Sequence, residues 1–525
     1  MKKNMIQDTK KTAKETQDKI IPSVSYEDYP KQSVALDNLS LKFMKQSLFI
    51  PLSLTDNLIK IAMADPLDQY VMDALKLFYG YDIEVFKGDP EDILDSIERL
   101  YGSGSQSIEN IIEEAGKDIY EIEINEGDSI ENLKGMASEA PIIRLVNRLI
   151  VNAVEIQASD IHFEPFDRVF KIRYRIDGVL HEIETPPIRL QAAIISRVKI
   201  MAKLDIAERR LPQDGSIKLK IADREIDFRV STVPTLYGES LVMRILDRES
   251  LNLDLKKLGF PKDIYDKYIE LIHQPYGMIL VTGPTGSGKT STLYTTLAMI
   301  NSSEKKVITL EDPVEYQLSG VNQIHVKPKI GLTFAAGLRS IVRQDPDIIL
   351  VGEIRDHETA EISIQSALTS HLLFSTLHTN DSAGAITRLM DMGVENFLLS
   401  STLLGVMAQR LVRGICPDCK EIFEPEKRLL NLMNLPDHEL SQMQFFHGKG
   451  CDTCHNTGFK GRTAIFEYLP INEAIRKEII NKSSTEAIKK IAMESGVRTL
   501  REDGWEKVKK GVTTISEVLR VTLEI

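Results

Sequence analysis

Three glycines, a lysine and a threonine stand in Gly283-Pro284-Thr285-Gly286-Ser287-Gly288-Lys289-Thr290 at the spacing of a phosphate-binding loop. Glycine at 283, 286 and 288 lets the chain turn tightly and turn several N–H groups toward one point. The free N–H groups of a following helix add partial positive charge there. Lys289 is suited to bridge terminal phosphates and the Thr290 hydroxyl to ligate Mg2+, so the chemistry implied is binding of a nucleoside triphosphate.

Hydrolysis also needs a water aimed at the γ-phosphate and a metal held against the phosphate oxygens. Glu315, in Glu311-Asp312-Pro313-Val314-Glu315, and Glu353, after Ile348-Ile349-Leu350-Val351-Gly352, are the carboxylate candidates. His371 and His378 flank the strand candidate Leu372 to Ser375: His378, within Thr376-Leu377-His378-Thr379, is better placed to sense the γ-phosphate, while for His371, which opens an apolar run, merely satisfying backbone groups is an open alternative. Charge developing on the phosphate calls for arginine. Arg229 alternates against the inward set Ile226, Phe228 and Val230, and Arg339 and Arg343, four apart, are expected on one helix face.

Cys416-Pro-Asp-Cys419 and Cys451-Asp-Thr-Cys454 contain all four cysteines and form two chelating pairs, the arrangement for a structural, tetrahedral Zn2+. The 31 residues between the pairs predict a helical insertion. His455 is an alternative ligand or simply a surface histidine, and a redox dithiol pair is the rival reading.

These residues need elements to hold them. Met278-Ile279-Leu280-Val281 reads as the strand before the loop, and Leu293 and Leu297 share one face of the helix after it. Val307 to Leu310, Asp347 to Val351 and Leu372 to Ser375 read as further strands of a parallel sheet, each ending in polar residues. Upstream, Phe170, Ile172, Tyr174 and Ile176 alternate with charged residues before the turn Asp177-Gly178, and Ile217 to Ile221 and Ile226 to Val230 follow, which predicts antiparallel sheet with helices on one face. Nearer the start, Ile59 to Met63 reads as a strand. Asp65-Pro66 is expected to open a helix bearing Val71, Ala74, Leu75 and Phe78, and Asp89-Pro90 one bearing Ile93, Leu94, Ile97 and Leu100.

The 525 residues, 42% hydrophobic and 27% charged, require several domains. The expected divisions are a mobile tail at 1–24, an α/β docking unit at 25–101 and an acidic linker at 102–138, with nine acidic residues from Glu109 to Glu131 against one lysine. After these come an α+β domain at 139–247, the nucleotide core at 248–410, a cysteine module at 411–465 and a helical region at 466–525. No apolar run of membrane-spanning length exists and the lysine-rich start lacks a signal-peptide core, so the cytoplasm is expected. A net charge of −12 and the absence of aromatic-basic patches weigh against a nucleic-acid partner, though a translocase acting on one is a possible function for a ring motor.

Read together, Ala158-Ser159-Asp160-Ile161-His162-Phe163-Glu164-Pro165, Arg209-Arg210-Leu211-Pro212-Gln213-Asp214-Gly215, the loop at 283–290, Glu311 to Glu315, Asp345 to Ile349 through Gly352-Glu353-Ile354-Arg355-Asp356, and Thr376 to Asn380 resemble the secretion ATPases of the type II secretion and type IV pilus class. The resemblance implies an α/β multidomain chain. Its parts are a RecA-like P-loop ATPase core preceded by a PAS-like domain, a tetracysteine zinc module and a helical C-terminal region, assembled as a homo-hexamer. By motif position Glu315 is similar to the family's catalytic glutamate and Glu353 to its Walker B glutamate, while Arg229, Arg244, Arg339 and Arg343 fall where phosphate-facing arginines stand. Arg244 follows from position alone, since alternation within Val242-Met243-Arg244-Ile245 is not expected to expose it. The cysteine module and long N-terminal region resemble assembly motors. The implied function is ATP-driven pseudopilus assembly for protein export, with the N-terminal unit docked on inner-membrane platform proteins at the cytoplasmic face; pilus assembly is the alternative.

Overall fold

The computed structural model describes residues 41–55, 58–101, 130–221, 224–247, 254–433, 435–440 and 442–522, with isolated positions between 22 and 39 and at 108 and 112. The tail expected at 1–24 lies outside the described residues except for its last three. There, Val24 N–H donates to the Lys87 carbonyl at 3.0 Å and Lys87 N–H to that of Pro22 at 2.9 Å, so the end of the tail is pinned to a strand. Most of the acidic linker is likewise outside them, but its end is the helix Ile130–Ala137, which buries Leu133 and Met136.

The chain forms two units, one built mainly from residues up to Ile245 and one from Leu246 onward. In the first, β1 (Phe49–Thr55), β2 (Leu58–Met63) and β3 (Asp82–Lys87) make a three-stranded sheet in which β1 runs antiparallel and β3 parallel to the central β2. The parallel step needs a crossover, supplied by the helix Gln69–Tyr79, which buries Val71 and Leu75 against Ile59 and Ile61. Its cap is Asp68, not Asp65: the Asp68 carboxylate accepts the Tyr70 N–H, while Asp65 makes its own turn by accepting the Leu67 N–H at 3.0 Å. In the helix Pro90–Tyr101, Ile93 and Ile97 are buried but Leu94 is 39% exposed.

Most of a six-stranded sheet lies in the same unit, made of β4 (Asp160–Phe166), β5 (Val169–Ile176), β6 (Val179–Glu184), β7 (Gln213–Ile221), β8 (Arg224–Thr235) and β9 (Gly238–Asp247), in the order β6-β5-β4-β9-β8-β7. Alternation decides its faces: Phe170, Ile172, Tyr174, Ile226, Phe228 and Val230 are buried. The β5–β6 turn places both Asp177 (φ 49) and Gly178 (φ 85) at positive φ, as the two-residue signal predicts.

The second unit is centred on a seven-stranded sheet with helices on both faces. Its strands are β10 (Gly277–Thr282), β11 (Val307–Glu311), β12 (Asn322–His325), β13 (Ile348–Val351), β14 (Leu372–Leu377), β15 (Leu403–Ile415) and, further on, β18 (Phe459–Pro470), ordered β12-β11-β13-β14-β10-β15-β18. The first six run parallel and β18 antiparallel to β15. β10, β13 and β14 are buried along their whole length because apolar clusters cover both faces. Truncating a side chain such as Leu280 there would cost about 2–5 kcal/mol. β15 runs through the position expected to end the nucleotide core, 410, and β18 through that expected to end the cysteine module, 465. The four-cysteine segment is thus an excursion between two arms of one hairpin. It contains β16 (Lys420–Ile422), β17 (Phe446–Gly448) and the helices Lys427–Met433 and Asp437–Leu440, the insertion that the long cysteine spacing predicts.

Candidate functional site

The loop 283–290 leaves the C-terminal end of β10 and enters the helix Lys289–Ile300. The Thr282 hydroxyl donates to the Leu377 carbonyl and accepts the Thr379 N–H, both at 3.0 Å, which ties β10 to β14 beside the loop. A Cβ on Gly283 would lie 2.6 Å from the Gln409 carbonyl oxygen, so β15 backs the loop too closely for a side chain there, while at Gly288 the left-handed φ of 88° favours glycine. At Gly286 a Cβ would meet nothing, and the left-handed φ of 78° alone favours glycine. The Ser287 hydroxyl is buried without a partner among the described residues, and Thr290 is exposed.

The Lys289 ammonium donates to the carbonyls of Gly283 (2.6 Å) and Pro284 (3.0 Å). Burial pushes its pKa down to about 8; the Arg410 guanidinium acts the same way and the Glu353 carboxylate opposes both. Glu353, two residues past β13, is 14% exposed, pairs with Arg355 and lies 3.3 Å from His378 Nε2. His378 is half exposed, while His371 meets the Ser366 carbonyl through Nδ1 at 2.8 Å, a backbone-satisfying place. Loop, Glu353 and His378 therefore meet at the C-terminal ends of β10, β13 and β14.

Glu315 lies in the loop after β11, and its N–H donates to the hydroxyl of Tyr294 (3.3 Å) on the helix that begins at Lys289. Buried Glu311 accepts hydrogen bonds from Tyr294, from Thr309 (2.5 Å) and from Gln323 (3.2 Å). Burial first, and then the Glu311 carboxylate, hold the Tyr294 hydroxyl protonated well above the usual tyrosine range. Arg410 is buried beneath the loop and donates to the carbonyls of Gln409 (3.1 Å) and Asn380 (3.0 Å) and to Asn380 Oδ1 (3.2 Å). Sequence reasoning missed Tyr294, Arg355, Gln409 and Arg410. Only Arg355 carried a signal, its place two residues after Glu353.

The arginines are scattered. Arg339 belongs to the helix Phe334–Ile341 and pairs with Glu358, but Arg343 lies beyond the helix end and turns back to the Arg339 carbonyl at 2.7 Å, so the two do not share a helix face. Arg229 on β8 and Arg244 on β9 belong to the first unit. Contrary to expectation alternation does expose Arg244, by 57%, because Leu241 and Met243 take the inward positions; it donates to buried Asp160 at 2.9 Å.

The sulfurs of Cys416, Cys419, Cys451 and Cys454 lie within 4.8 Å of one another, with separations of 3.9 Å (416 to 451), 3.8 Å (419 to 454) and 3.7 Å (451 to 454). A tetrahedron with metal–sulfur bonds of about 2.3 Å has edges of about 3.8 Å, so the set fits zinc. Burial raises the Cys454 thiol, but N–H donors from Cys451 and Gly458 outweigh it and bring the pKa down to about 6. His455 is exposed and outside the cluster.

Residues 135–520 match the family described as type II/IV secretion system protein, and residues 21–107 match the MshEN domain. The type II secretion system protein E of Xanthomonas campestris pv. campestris is 51% identical over 497 residues, covering 94% of this chain and 86% of that protein. The type IV pilus assembly ATPase PilB of Myxococcus xanthus is 43% identical over 502 residues, covering 95% and 88%. Among solved structures, the Legionella pneumophila ATPase DotB shares the fold at a TM-score of 0.54 and 20% identity, over 72% of this chain and 95% of that one.

Proposed function

The chain belongs to the type II/IV secretion system protein family, and on that footing we propose that it is an ATPase that powers pseudopilus assembly and protein export by a type II secretion system. The observation that carries the reading is the meeting of a complete phosphate loop with Glu353 and His378 at one end of the parallel sheet. The higher identity to the secretion protein than to the pilus protein favours export over pilus assembly.

In this reading the N–H groups of 283–290 cradle the phosphates of ATP and Lys289 exchanges its carbonyl partners for phosphate oxygens. The buried Ser287 hydroxyl and exposed Thr290 offer further oxygens at the loop, and Thr290 and Glu353 would hold Mg2+. When bound, Mg2+ neutralises charge building on the β and γ oxygens. Glu315 orients the attacking water, and His378, beside Glu353, senses the γ-phosphate. Arg229, Arg244, Arg339 and Arg343 supply phosphate-facing charge once six copies form a ring, which for Arg244 and Arg339 requires release from Asp160 and Glu358. The cysteines hold a structural Zn2+, four sulfurs leaving no position for water. The N-terminal unit docks on platform proteins at the cytoplasmic membrane face; among the described residues no helix is long and apolar enough to cross a membrane. Lys289→Ala is expected to lower ATP turnover at least about 100-fold while leaving the circular dichroism spectrum unchanged. Turnover within about threefold of the parent would overturn the assignment.

A further inference from the structure

Glu315 stands in a loop, and a loop carboxylate orients water only if its backbone is fixed. Three hydrogen bonds fix it. The Glu315 N–H donates to Tyr294 Oη at 3.3 Å, Gln323 Nε2 donates to the Tyr316 carbonyl at 2.9 Å, and the Leu318 N–H donates to Gln323 Oε1 at 2.7 Å. The Tyr294 and Tyr316 rings also meet edge to face, with centroids 6.3 Å apart. Tyr294 and Gln323 are held in turn by one group, the carboxylate of Glu311, which is 5% exposed and also receives the Thr309 hydroxyl. Gln323 reaches it because β12 pairs Gln323 beside Thr309 on β11. Tyr294 reaches it because it lies five residues after Lys289 on the same helix.

We infer that Tyr294 and Gln323 are positioning residues, which lock the Glu315 loop to the phosphate-loop helix through buried Glu311. The inference rests on the proposed ATPase reading and on Glu315 as its water-orienting group. Phosphates and water then stand on one rigid assembly, in which the helix that begins at Lys289 also fixes the backbone N–H of Glu315. Neither side chain touches substrate in this arrangement; both act through the loop.

The test uses full-length protein carrying Tyr294→Phe and, separately, Gln323→Ala, an edge-strand change that keeps the question open should the buried tyrosine variant fail to fold. Each is expected to lower kcat at least about fivefold with KM for ATP and fluorescent-ATP affinity unchanged. In a Glu315→Gln background, the same changes are expected to lower single-turnover rates less than about twofold, because the group they position is already gone. A smaller loss in the parent, or an equal loss in the Glu315→Gln background, would overturn the inference. Lys289→Ala run alongside separates the two levels: if it retains turnover, the ATPase site itself is misassigned, whereas its loss together with unaffected Tyr294 and Gln323 variants rejects only the positioning role.

Discussion

The phosphate loop stands on β10, β13 and β14, strands buried throughout and covered on both faces by apolar clusters. The four-cysteine module instead rests on two three-residue strands, β16 fully exposed and β17 half-buried, and the cluster at its centre consists of the cysteines themselves. The insertion between the cysteine pairs borrows a core, packing Met433 and Phe445 against Trp505 and Val508 of the helix Leu500–Lys509. The first region is organised by burial and backbone geometry and needs no bound group to take shape. The second has little apolar surface of its own, and a metal bound by its four sulfurs would supply what burial does not.

The sharpest way to break this contrast is to remove the metal's ligands. Cys416→Ser is expected to reduce bound zinc from about one per chain to below about 0.1, and to let the amides of 416–458 exchange as in an unfolded segment. ATP affinity should stay within about threefold, since β10 and β14 keep their cores. Elemental analysis and hydrogen exchange read the first two, and protection equal to that of the parent would show that the module folds without metal.

A second prediction concerns the other region and is electrostatic. Burial pushes the Lys289 pKa down to about 8, and phosphate oxygens would raise it on binding. Below that value the lysine is already charged; above it binding must take up a proton. ATP affinity is therefore expected to fall by up to about tenfold per pH unit above about pH 8, with proton uptake seen by calorimetry in buffers of different ionisation enthalpy. Flat affinity to pH 9.5 would contradict it.

The smallest effect concerns the joint between the regions. Glu517, on the C-terminal helix Ile515–Thr522, accepts from Arg413 of β15 through its N–H (3.0 Å) and guanidinium (2.7 Å), and from Arg520 at 2.8 Å. Burial would raise its carboxyl, but these bonds outweigh it and hold the pKa at about 2. Its stabilisation is present above the ordinary carboxyl pKa near 4.5 and is lost as pH falls toward about 2. Glu517→Gln should lower Tm by a few degrees at pH 7, and the difference should vanish near pH 2. An equal difference at both pH values would remove the ion cluster as the cause.

Sequence reasoning reached the phosphate loop, its strand and helix, and the neighbouring parallel strands, because buried parallel strands read as unbroken apolar runs. It reached the cysteine cluster because ligand spacing is local. It did not reach β15 and β18, whose pairing joins residues more than forty positions apart around the module, such as Val412 with Thr463. β15 also carries Gln409 and Arg410 where its burial is deepest, and polar residues there are tolerated only because Thr292 and Asn380 satisfy them. The Asp65 and Asp68 ambiguity has a similar origin: both bond a nearby N–H, and only the backbone beyond Asp68 continues as helix.

β15 passes Gln409 and Arg410 beneath the phosphate loop and ends at Ile415, one residue before the first of the four clustered cysteines. At about 3.3 Å per residue, the six steps from 409 to 415 span about 20 Å of strand, paired with β18 up to a register shift between Arg413 and Ile415. Such a beam is held at its inner end against the phosphate loop and the helix that follows it. A tilt of a few degrees at that end would swing the far end by about an ångström, and there Arg413 and Ile415 are hydrogen-bonded to Glu517 and Val512, so the C-terminal helix would take up the swing together with the cysteine module.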